Sequence, residues 1–294
     1  IYFQINAGAG IRSIGRSIGL KDSSVTNRIN RMARNALILN QMIVHHLPHQ
    51  EDLVIDGLQN FCVSQYFPDN YTIVVGKNSQ FAYDCDYATL RRCGRMTSEQ
   101  KKRRAELEKT DRADPKAVRK SFLRLLVTIG KTLEKRSLPL VLYTDEKKDY
   151  QRAMWNRTGS FRKTMFEGHI HHHMTNSKEG RNQRNPLFAV NYFDREIRKD
   201  MASQARETVQ FPRNVANAML RMNLYLFDHN VFKPYRIRGC PSGEQSHSEA
   251  AGVDRTILTG IVCGFFCRRY FRPQGLRMSE GSLKTLMRDW ETPL

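Results

Sequence analysis

Acidic residues are scarce in this chain relative to basic ones. Its 294 residues include 29 Asp and Glu against 48 Lys and Arg, so the formal net charge at pH 7 is +19. That excess is far more than solubility requires, and it indicates a polyanionic partner, with nucleic acid as the first candidate. The hydrophobic share of 40% is ordinary, so the chain has enough apolar residues to bury a core.

Long apolar runs are also lacking. No stretch approaches the length of about eighteen consecutive apolar residues that reads as a membrane-spanning helix, and the basic residues are spread along the chain instead of lining one amphipathic face. Residues Ile1–Ile5 do not show the charged segment and apolar segment that begin a secretory signal. These absences argue against a membrane partner and predict a cytoplasmic protein.

Cysteine is sparse, with six residues in the chain, which is too few for a disulfide scaffold. Only Cys263 and Cys267 are close in sequence, at the end of the apolar run that starts at Ile257. The spacing Cys-x-x-x-Cys lacks the second ligand pair of a zinc site. We therefore expect reduced thiols, and two small buried hydrophobic residues at these positions.

Residues 8–35 predict two short helices joined by a turn at Gly19, the arrangement of a helix-turn-helix. Isoleucines lie at helical spacing in the first helix, and Val25, Ile29 and Met32 repeat that spacing in the second. The outward positions of the second helix carry residue types that contact bases and phosphates. They are Ser24, Thr26, Asn27, Arg28 and Arg31. The alternative is a plain helical hairpin with a solvated basic face.

Two apolar runs, Leu53–Asp56 and Leu138–Asp145, predict strands that each end in an acid. Acids at strand ends sit on a rigid sheet and are well placed to converge on a divalent metal. Phosphodiester cleavage by two metal ions needs such carboxylates, together with one further oxygen ligand, and Mg²⁺ or Mn²⁺ suits the site. Alternatively, each Asp caps a turn and has no role in chemistry.

The remaining segments alternate between strand and helix patterns. Residues 71–75 and 81–87 predict two further strands, and residues 99–109 and 118–133 predict helices, the first charged and the second with an apolar face. A basic, Asn-rich loop over 175–186 carries Lys178, Arg181 and Arg184, which we expect to contact DNA. A helix over about 190–205 follows this loop.

Several segments are characteristic when taken in their order along the chain. They are Ile55-Asp56, Arg91-Arg92, the run from Met96 to Glu108, Leu142-Tyr-Thr-Asp145-Glu146, Thr175-Asn-Ser-Lys178, the run from Arg184 to Arg198, and Arg206–Phe211. This succession resembles bacterial insertion-sequence transposases of the DDE type, over about residues 8–236. The order of the segments is much more specific than any one of them.

The resemblance implies an α/β fold with a ribonuclease-H-like mixed sheet flanked by helices, preceded by a small N-terminal helix-turn-helix. It divides the chain into a DNA-binding region at 1–44 and a catalytic core at 45–236, with a helical insert at about 96–137 inside that core. A supporting C-terminal segment would occupy 237–294.

The resemblance also implies roles for particular residues. Asp56 on strand one and Asp145 on strand four would hold the metal, with Asn191 on a late helix as the third ligand and Arg198 as a basic partner for the scissile phosphate. Asp194, one turn after Asn191, is a second source of the third carboxylate, whereas Glu196 projects elsewhere. Two alternatives remain open: Asn191 caps the helix, or Arg198 only pairs with Asp194.

Two features depart from the family or lie outside its motifs. Gly57 follows Asp56 where relatives more often carry a second acid. His169 and His171–His173 form a cluster, but adjacent residues on a strand alternate sides and cannot all reach one metal. We expect these histidines to make surface or phosphate contacts.

These features predict a transposase that nicks element ends and joins the 3′ hydroxyl to target DNA in the bacterial cytoplasm. The partners would be double-stranded DNA and, because two ends must be brought together, at least a second copy of the chain. Two alternatives rank below this hypothesis. One is a decayed or domesticated DNA-binding protein or regulator, and the other is a junction-type nuclease that releases its products.

Overall fold

The computed structural model describes residues 1–156, 160–176, 178–180, 182–206, 208–235 and 245–294. The strands are β1 (Leu53–Phe61), β2 (Pro68–Gly76), β3 (Ala82–Thr89), β4 (Leu140–Asp145) and β5 (Ile170–Thr175). The helices are α1 (Tyr2–Asn6), α2 (Ile11–Ile18), α3 (Asp22–His46), α4 (Ser98–Leu107), α5 (Ala117–Glu134), α6 (Lys148–Met154), α7 (Ser160–Phe166), α8 (Phe188–Asp200), α9 (Val215–Val231), α10 (His247–Ala250), α11 (Arg255–Cys267) and α12 (Glu280–Met287), with a 3-10 turn at Ala202–Gln204.

The five strands form one mixed sheet in the order β3-β2-β1-β4-β5. The pairs β3/β2 and β2/β1 are antiparallel, and the pairs β1/β4 and β4/β5 are parallel. Helices cover the sheet, and α4 and α5 make the connection that carries the chain from β3 to the parallel strand β4. The predicted α/β class, with a mixed sheet flanked by helices, is confirmed, and the strand order is compatible with a ribonuclease-H-like fold.

The turn between β2 and β3 is held by one acidic side chain. The Glu51 carboxylate accepts hydrogen bonds from the backbone N–H groups of Asn78 and Ser79, at 3.0 and 2.9 Å, and from the Ser79 hydroxyl at 2.5 Å. The same carboxylate accepts a hydrogen bond from the Tyr83 hydroxyl at 3.1 Å. These bonds satisfy the turn between β2 and β3 and thereby fix the register of the hairpin.

Apolar residues cover both faces of the sheet. On one face, Ile55, Val74 and Leu142 pack with residues of α3, α5 and α11 in a first cluster. On the other face, Val54 and Ile73 pack with α8 residues in a second cluster. Helix α9 contributes to both clusters and is buried along nearly its whole length. Helix α8 packs only on the second of these faces.

The N-terminal helices meet at Gly19, whose φ of +68° is the left-handed conformation that glycine adopts without strain. The expectation of two short helices is wrong for the second one, because α3 spans 25 residues and ends at His46. Its apolar spacing continues through Leu39 and Ile43, and these residues pack in the same cluster as the sheet. The helix-turn-helix is not confirmed by this arrangement.

The predicted helical insert contains two helices of opposite character. A capping box, in which Thr97 and Gln100 each bond to the backbone of the other, begins α4, and none of the residues of α4 is buried. Helix α5 buries Phe122, Leu125 and Ile129 against the sheet. The prediction of a charged helix followed by an apolar-faced one is therefore confirmed.

The C-terminal helices pack against the rest of the chain through apolar faces. Helix α11 buries Leu258, Ile261 and Phe265, whereas Cys263 and Cys267 are exposed. The expectation that both cysteines are buried is wrong, because they lie on the opposite side of the helix from its apolar stripe. Among the described residues, no helix has both the length and the apolar composition needed to span a bilayer.

Candidate active site

The two aspartates predicted as metal ligands lie side by side in the sheet. Strands β1 and β4 pair in parallel as far as Ile55 and Thr144, and one further step in this register brings Asp56 beside Asp145. Neighbouring strands lie about 4.8 Å apart, so the two residues are adjacent in space although they are far apart in sequence. Asp145 ends its strand as predicted.

Asp56 does not end its strand, and that part of the prediction is wrong. Strand β1 continues to Phe61, because the residues after Asp56 pair with β2 in an antiparallel ladder. Strand β4 ends at Asp145, so the second half of β1 has no strand beside it on that edge. The acids therefore stand where the parallel pairing stops and the sheet opens.

Side-chain alternation puts both acids on the sheet face that carries α8. Asp56 shares its face with Val54 and Leu58, which pack in the second cluster, and Asp145 shares its face with Tyr143, which packs against the same cluster. Helix α8 packs on this face through Val190, Phe193 and Ile197. The predicted third ligands therefore lie on the helix that faces the two aspartates.

A cavity of about 510 Å³ lies between β1 and α8. It is lined by Asp56, Asn191, Asp194 and Arg198, four of the five predicted catalytic residues. Asp145 is half-buried and is not among the lining residues. The fold thus brings residues of β1 and α8 to one cavity, with Asp145 in the strand beside it.

The three carboxylates act together on one buried side chain. Tyr150 of α6 is fully buried, and burial raises the pKa of its hydroxyl well above the ordinary value. The negative charges of Asp56, Asp145 and Asp194, in that order, raise this pKa further. Because a Coulomb interaction weakens with distance, each of the three acids lies close enough to Tyr150 to act on its hydroxyl.

Asp56 and Asp145 also accept hydrogen bonds from their own chain segments. An Asp56 carboxylate oxygen accepts from the Gly57 N–H at 2.6 Å, and one of Asp145 accepts from the Lys147 N–H at 3.1 Å. Gly57 itself is required by packing, because a Cβ atom there would lie 2.2 Å from the Asn70 side-chain oxygen. The absence of a second acid after Asp56 therefore has a structural reason.

Within the described ranges, which omit 157–159, 177, 181, 207 and 236–244, no group of three or more His, Cys, Asp or Glu is spaced to hold a metal ion. The chemical character of the site nevertheless suits a hard cation. Its donors are three half-buried carboxylates and the Asn191 amide, and oxygen donors of this kind are what Mg²⁺ prefers.

The residues of α8 fall into two groups. Asn191 lies in the first turn of the helix, after the cap residue Leu187, so the alternative that Asn191 caps the helix is wrong. Glu196 projects away from the cavity, as predicted, and pairs with the buried His229 at 3.0 Å. Asn191 and Asp194 therefore remain the two candidates for the third ligand.

Arg198 connects α8 to the sheet. Its guanidinium donates hydrogen bonds to the backbone carbonyl oxygens of Gln59, at 2.9 Å, and Gln204, at 3.2 Å. Burial lowers the pKa of Arg198, and the nearby charge of Asp194 opposes that shift. The residue thus interacts with Asp194 electrostatically while its hydrogen bonds go to the backbone, and it still lines the cavity.

Two basic residues of the cavity were not predicted from the sequence. Arg195 and Arg206 both line it, and the Arg195 guanidinium lies 5.0 Å from the centre of the Tyr192 ring. Arg195 directly follows Asp194, and Arg206 begins one of the segments that resemble transposases. Their positions in the sequence could have marked Arg195 and Arg206 as candidates. Only the fold shows that they line the same cavity as Asp56.

His171, His172 and His173 lie on β5, at the edge of the sheet, and His169 directly precedes that strand. The His172 ring nitrogen Nε2 is within 2.8 Å of the Thr144 hydroxyl, and burial lowers the pKa of His172 to about 4. His171 and His173 are exposed on the opposite side of the strand. His172 thus supports the end of β4, and its neighbours face solvent, as the alternation predicted.

The predicted DNA-contacting residues are accessible where the structure describes them. Lys178 and Arg184 are exposed in the loop before α8, and Arg181 lies outside the described residues. On α3, Asn27, Arg28 and Arg31 are exposed, and Ser24 and Thr26 are half-buried.

Comparison of the chain with protein-family models, curated proteins and solved structures gave no match. What this site does must therefore be argued from its own residues.

Proposed function

We propose that this chain is a transposase of the DDE type, which nicks DNA at element ends and joins the resulting 3′ hydroxyl to target DNA in the bacterial cytoplasm. The observation that carries the proposal is the adjacency of Asp56 and Asp145 on β1 and β4, on the sheet face that carries α8, with Asp56, Asn191 and Asp194 lining one cavity. The strand order supports a ribonuclease-H-like core for this chemistry.

The proposed site takes Mg²⁺ or Mn²⁺ from oxygen donors. Asp56 and Asp145 hold the cation on the sheet, and Asp194 or the Asn191 amide completes the set from α8. Bound divalent cations supply activation of the attacking oxygen and charge stabilisation at the leaving oxygen. Asp56 and Asp145 accept hydrogen bonds from the Gly57 and Lys147 N–H groups, and a bound cation would compete with these bonds for the carboxylate oxygens.

Basic residues of the same cavity hold the scissile phosphate. Arg195 and Arg206 line the cavity together with the acids, and a guanidinium presents paired donors that match phosphate oxygens. Arg198, fixed by its two bonds to backbone carbonyls, adds a positive charge without needing to move. A site with acids for a cation and arginines for a phosphate fits phosphodiester chemistry.

Exposed cations guide DNA to this cavity. Lys178 and Arg184 are exposed in the loop that leads into α8, and Arg28 and Arg31 are exposed on α3. Arg181, in the same loop by sequence, lies outside the described residues and is proposed to act with them. We propose that α2 and α3 act as the helix-turn-helix that reads the element end. Two ends are brought together by a dimer or larger assembly of the chain.

The first test removes one carboxylate. Asp145→Asn is expected to lower Mg²⁺-dependent nicking of supercoiled plasmid by about 10³-fold or more, on the scale that loss of one key catalytic group costs. DNA binding, measured by a mobility shift, should stay within about twofold of the unchanged chain, because Asn keeps the shape of the side chain. Asp149→Asn, an equivalent change four residues further on, is the matched control.

Full cleavage by Asp145→Asn would refute the proposed chemistry. Binding without any metal-dependent nick in the unchanged chain would instead indicate a DNA-binding protein that has lost catalysis. A nick that is never followed by joining in a strand-transfer assay would indicate a junction-type nuclease.

A further inference from the structure

A second basic feature lies away from the candidate active site. It is a groove of about 430 Å³ between α3 and the segment that links α11 to α12. Four arginines line it: Arg31 and Arg34 from α3, and Arg269 and Arg272 from the linking segment. No acidic residue is among its lining residues. Like charges from two distant parts of the sequence are thus brought together at one place, which favours a polyanionic occupant.

The four arginines differ from their neighbours in how their charge is balanced. Arg255 and Arg277, in the same part of the chain, pair with Glu249 and Glu134. In the part of the chain that the structure describes, the groove arginines form no ion pair, and the one hydrogen bond of an Arg272 side-chain nitrogen goes to the Leu276 carbonyl oxygen at 3.0 Å. Their charges are therefore available to a ligand.

Asn35 fixes the linking segment against α3. Its side-chain amide donates a hydrogen bond to the Arg268 carbonyl oxygen at 2.8 Å and accepts one from the Tyr270 N–H at 3.1 Å. Tyr270 in turn packs over Gly264 of α11, where any Cβ atom would collide with its hydroxyl. The backbone on both sides of Arg269 is thus held in place, so binding does not have to order it.

Phe271 is the unusual residue of this groove. It is 80% exposed, although it follows a segment that is held on both sides, and it lies between Arg269 and Arg272 in sequence. An aromatic ring offered to solvent among guanidinium groups is the combination that binds single-stranded nucleic acid. In such sites the cations follow the phosphates, and the ring stacks on a base.

We propose that this groove binds a DNA strand whose bases are unpaired, with Arg31, Arg34, Arg269 and Arg272 on its phosphates and Phe271 stacked on one base. That the ligand is DNA rests on the proposed function. The new element is a role in DNA binding for the C-terminal segment. It also extends the predicted reading face of α3, since Arg34 lies one turn beyond Arg31 on the same side of the helix.

The test compares two fluorescein-labelled DNAs of equal phosphate number, one fully paired and one with an unpaired tail, by fluorescence anisotropy. Phe271→Ala should weaken binding of the tailed DNA about tenfold and change binding of the paired DNA less than about twofold. Phe271→Trp should restore the affinity for the tailed DNA, because Trp also stacks. Phe166→Ala removes another exposed ring, 67% exposed and outside the groove, and is the matched control.

The arginines are tested through the salt dependence of binding. The double change Arg31→Ala and Arg269→Ala should reduce the slope of log affinity against log salt by about 0.7 to 0.9 for each arginine removed. The control is Lys101→Ala with Lys102→Ala, which removes the same charge from exposed positions of α4. All altered positions are exposed, so thermal unfolding of each variant should match that of the unchanged chain.

Equal affinity of Phe271→Ala and Phe166→Ala for the tailed DNA, or an unchanged salt slope in the arginine variant, would overturn the groove proposal while leaving the proposed catalysis intact. Conversely, if the unchanged chain binds both DNAs as expected but never nicks them, the groove proposal would be supported and the proposed catalysis would be contradicted. A chain that binds neither DNA would contradict both.

Discussion

Aspartates occur in two regions of the same sheet, and the two sets are treated differently by the fold. On β3, Asp86 is fully buried and receives two hydrogen bonds from the Arg124 guanidinium, at 2.9 and 2.5 Å. Asp84, also buried, accepts bonds from the Thr128 and Ser282 hydroxyls at 2.8 and 3.0 Å. These acids have protein partners that use their hydrogen-bonding capacity, so their role is structural.

On β1 and β4, by contrast, Asp56 and Asp145 are half-buried beside a cavity. Their carboxylates accept hydrogen bonds from backbone N–H groups one and two residues away. The same residue type is thus fully buried in one region and half-buried beside a cavity in the other. Burial and the elements packed around each strand therefore separate the two sets of acids.

The largest expected effect on stability comes from removing a partner of the buried acids on β3. Arg124→Met should lower the free energy of unfolding by about 3–5 kcal/mol, because it leaves the buried Asp86 carboxylate without its ion partner. Burial already raises the pKa of Asp86 to about 6, and the bonds from Arg124 oppose that shift. Urea unfolding of the two proteins at pH 7 measures the loss.

The control for this change is Arg119→Met, at a half-buried position on the same helix, which should cost less than about 1 kcal/mol. Adding Asp86→Asn to Arg124→Met should recover part of the loss, since the uncompensated charge is then gone. A loss below about 1 kcal/mol in Arg124→Met would remove the contrast between the two regions.

A second prediction concerns the pH dependence of stability and uses Asp69 of β2. Burial raises the pKa of this carboxyl from 3.8 to about 7, and a hydrogen bond from the Asn60 N–H partly opposes the shift. Between these two pH values the folded chain keeps a proton that the unfolded chain releases, so stability is present at low pH and is lost as pH rises through about 7. The loss should total up to about 4 kcal/mol, at about 1.4 kcal/mol per pKa unit.

Asp69→Asn isolates this contribution, because the amide oxygen can still accept from Asn60 but does not titrate. The difference in unfolding free energy between the two proteins should change in favour of Asp69→Asn from pH 4 to about pH 7 and level off by pH 8. A difference that does not vary with pH would show that Asp69 is ionised throughout that range and is as exposed to solvent as the cavity acids.

The smallest expected effect is on the cavity acids themselves. Asp56→Asn should leave the free energy of unfolding unchanged or raise it by up to about 1 kcal/mol, because Asp56 is half-buried and lines the cavity together with Asp194, so the change removes one of two like charges there. Thermal unfolding in the absence of divalent cations is the measurement. A loss of several kcal/mol would place Asp56 with the structural acids and weaken the proposed catalysis.

The order of the elements could be predicted from local patterns. The apolar runs at 53–56 and 138–145 predicted strands, and the change to helical spacing at 118–133 predicted α5, because periodicity is a property of neighbouring residues. Element ends were less predictable. The end of β1 depends on its pairing with β2, and the length of α3 depends on the packing of its second half against α9, and neither contact is local.

The candidate site was predictable in part for the same reason. Asp56, Asp145 and Asp194 were proposed from strand patterns, helical spacing and the resemblance to transposases. The cavity arginines Arg195 and Arg206, and the groove formed by Arg34 and Arg269, were not. When like charges from separate segments cluster in space, their positions in the sequence show no periodic pattern from which the cluster could be predicted.

The sequence by itself determined the strong positive charge, the alternation of strand and helix patterns, and the presence of acids within or at the end of two apolar strands. Only the tertiary structure decided which acids are fully buried and which lie half-buried beside a cavity. The physical reason is that a carboxylate's environment is set by the side chains that surround it in space, and these come from residues far away in the chain.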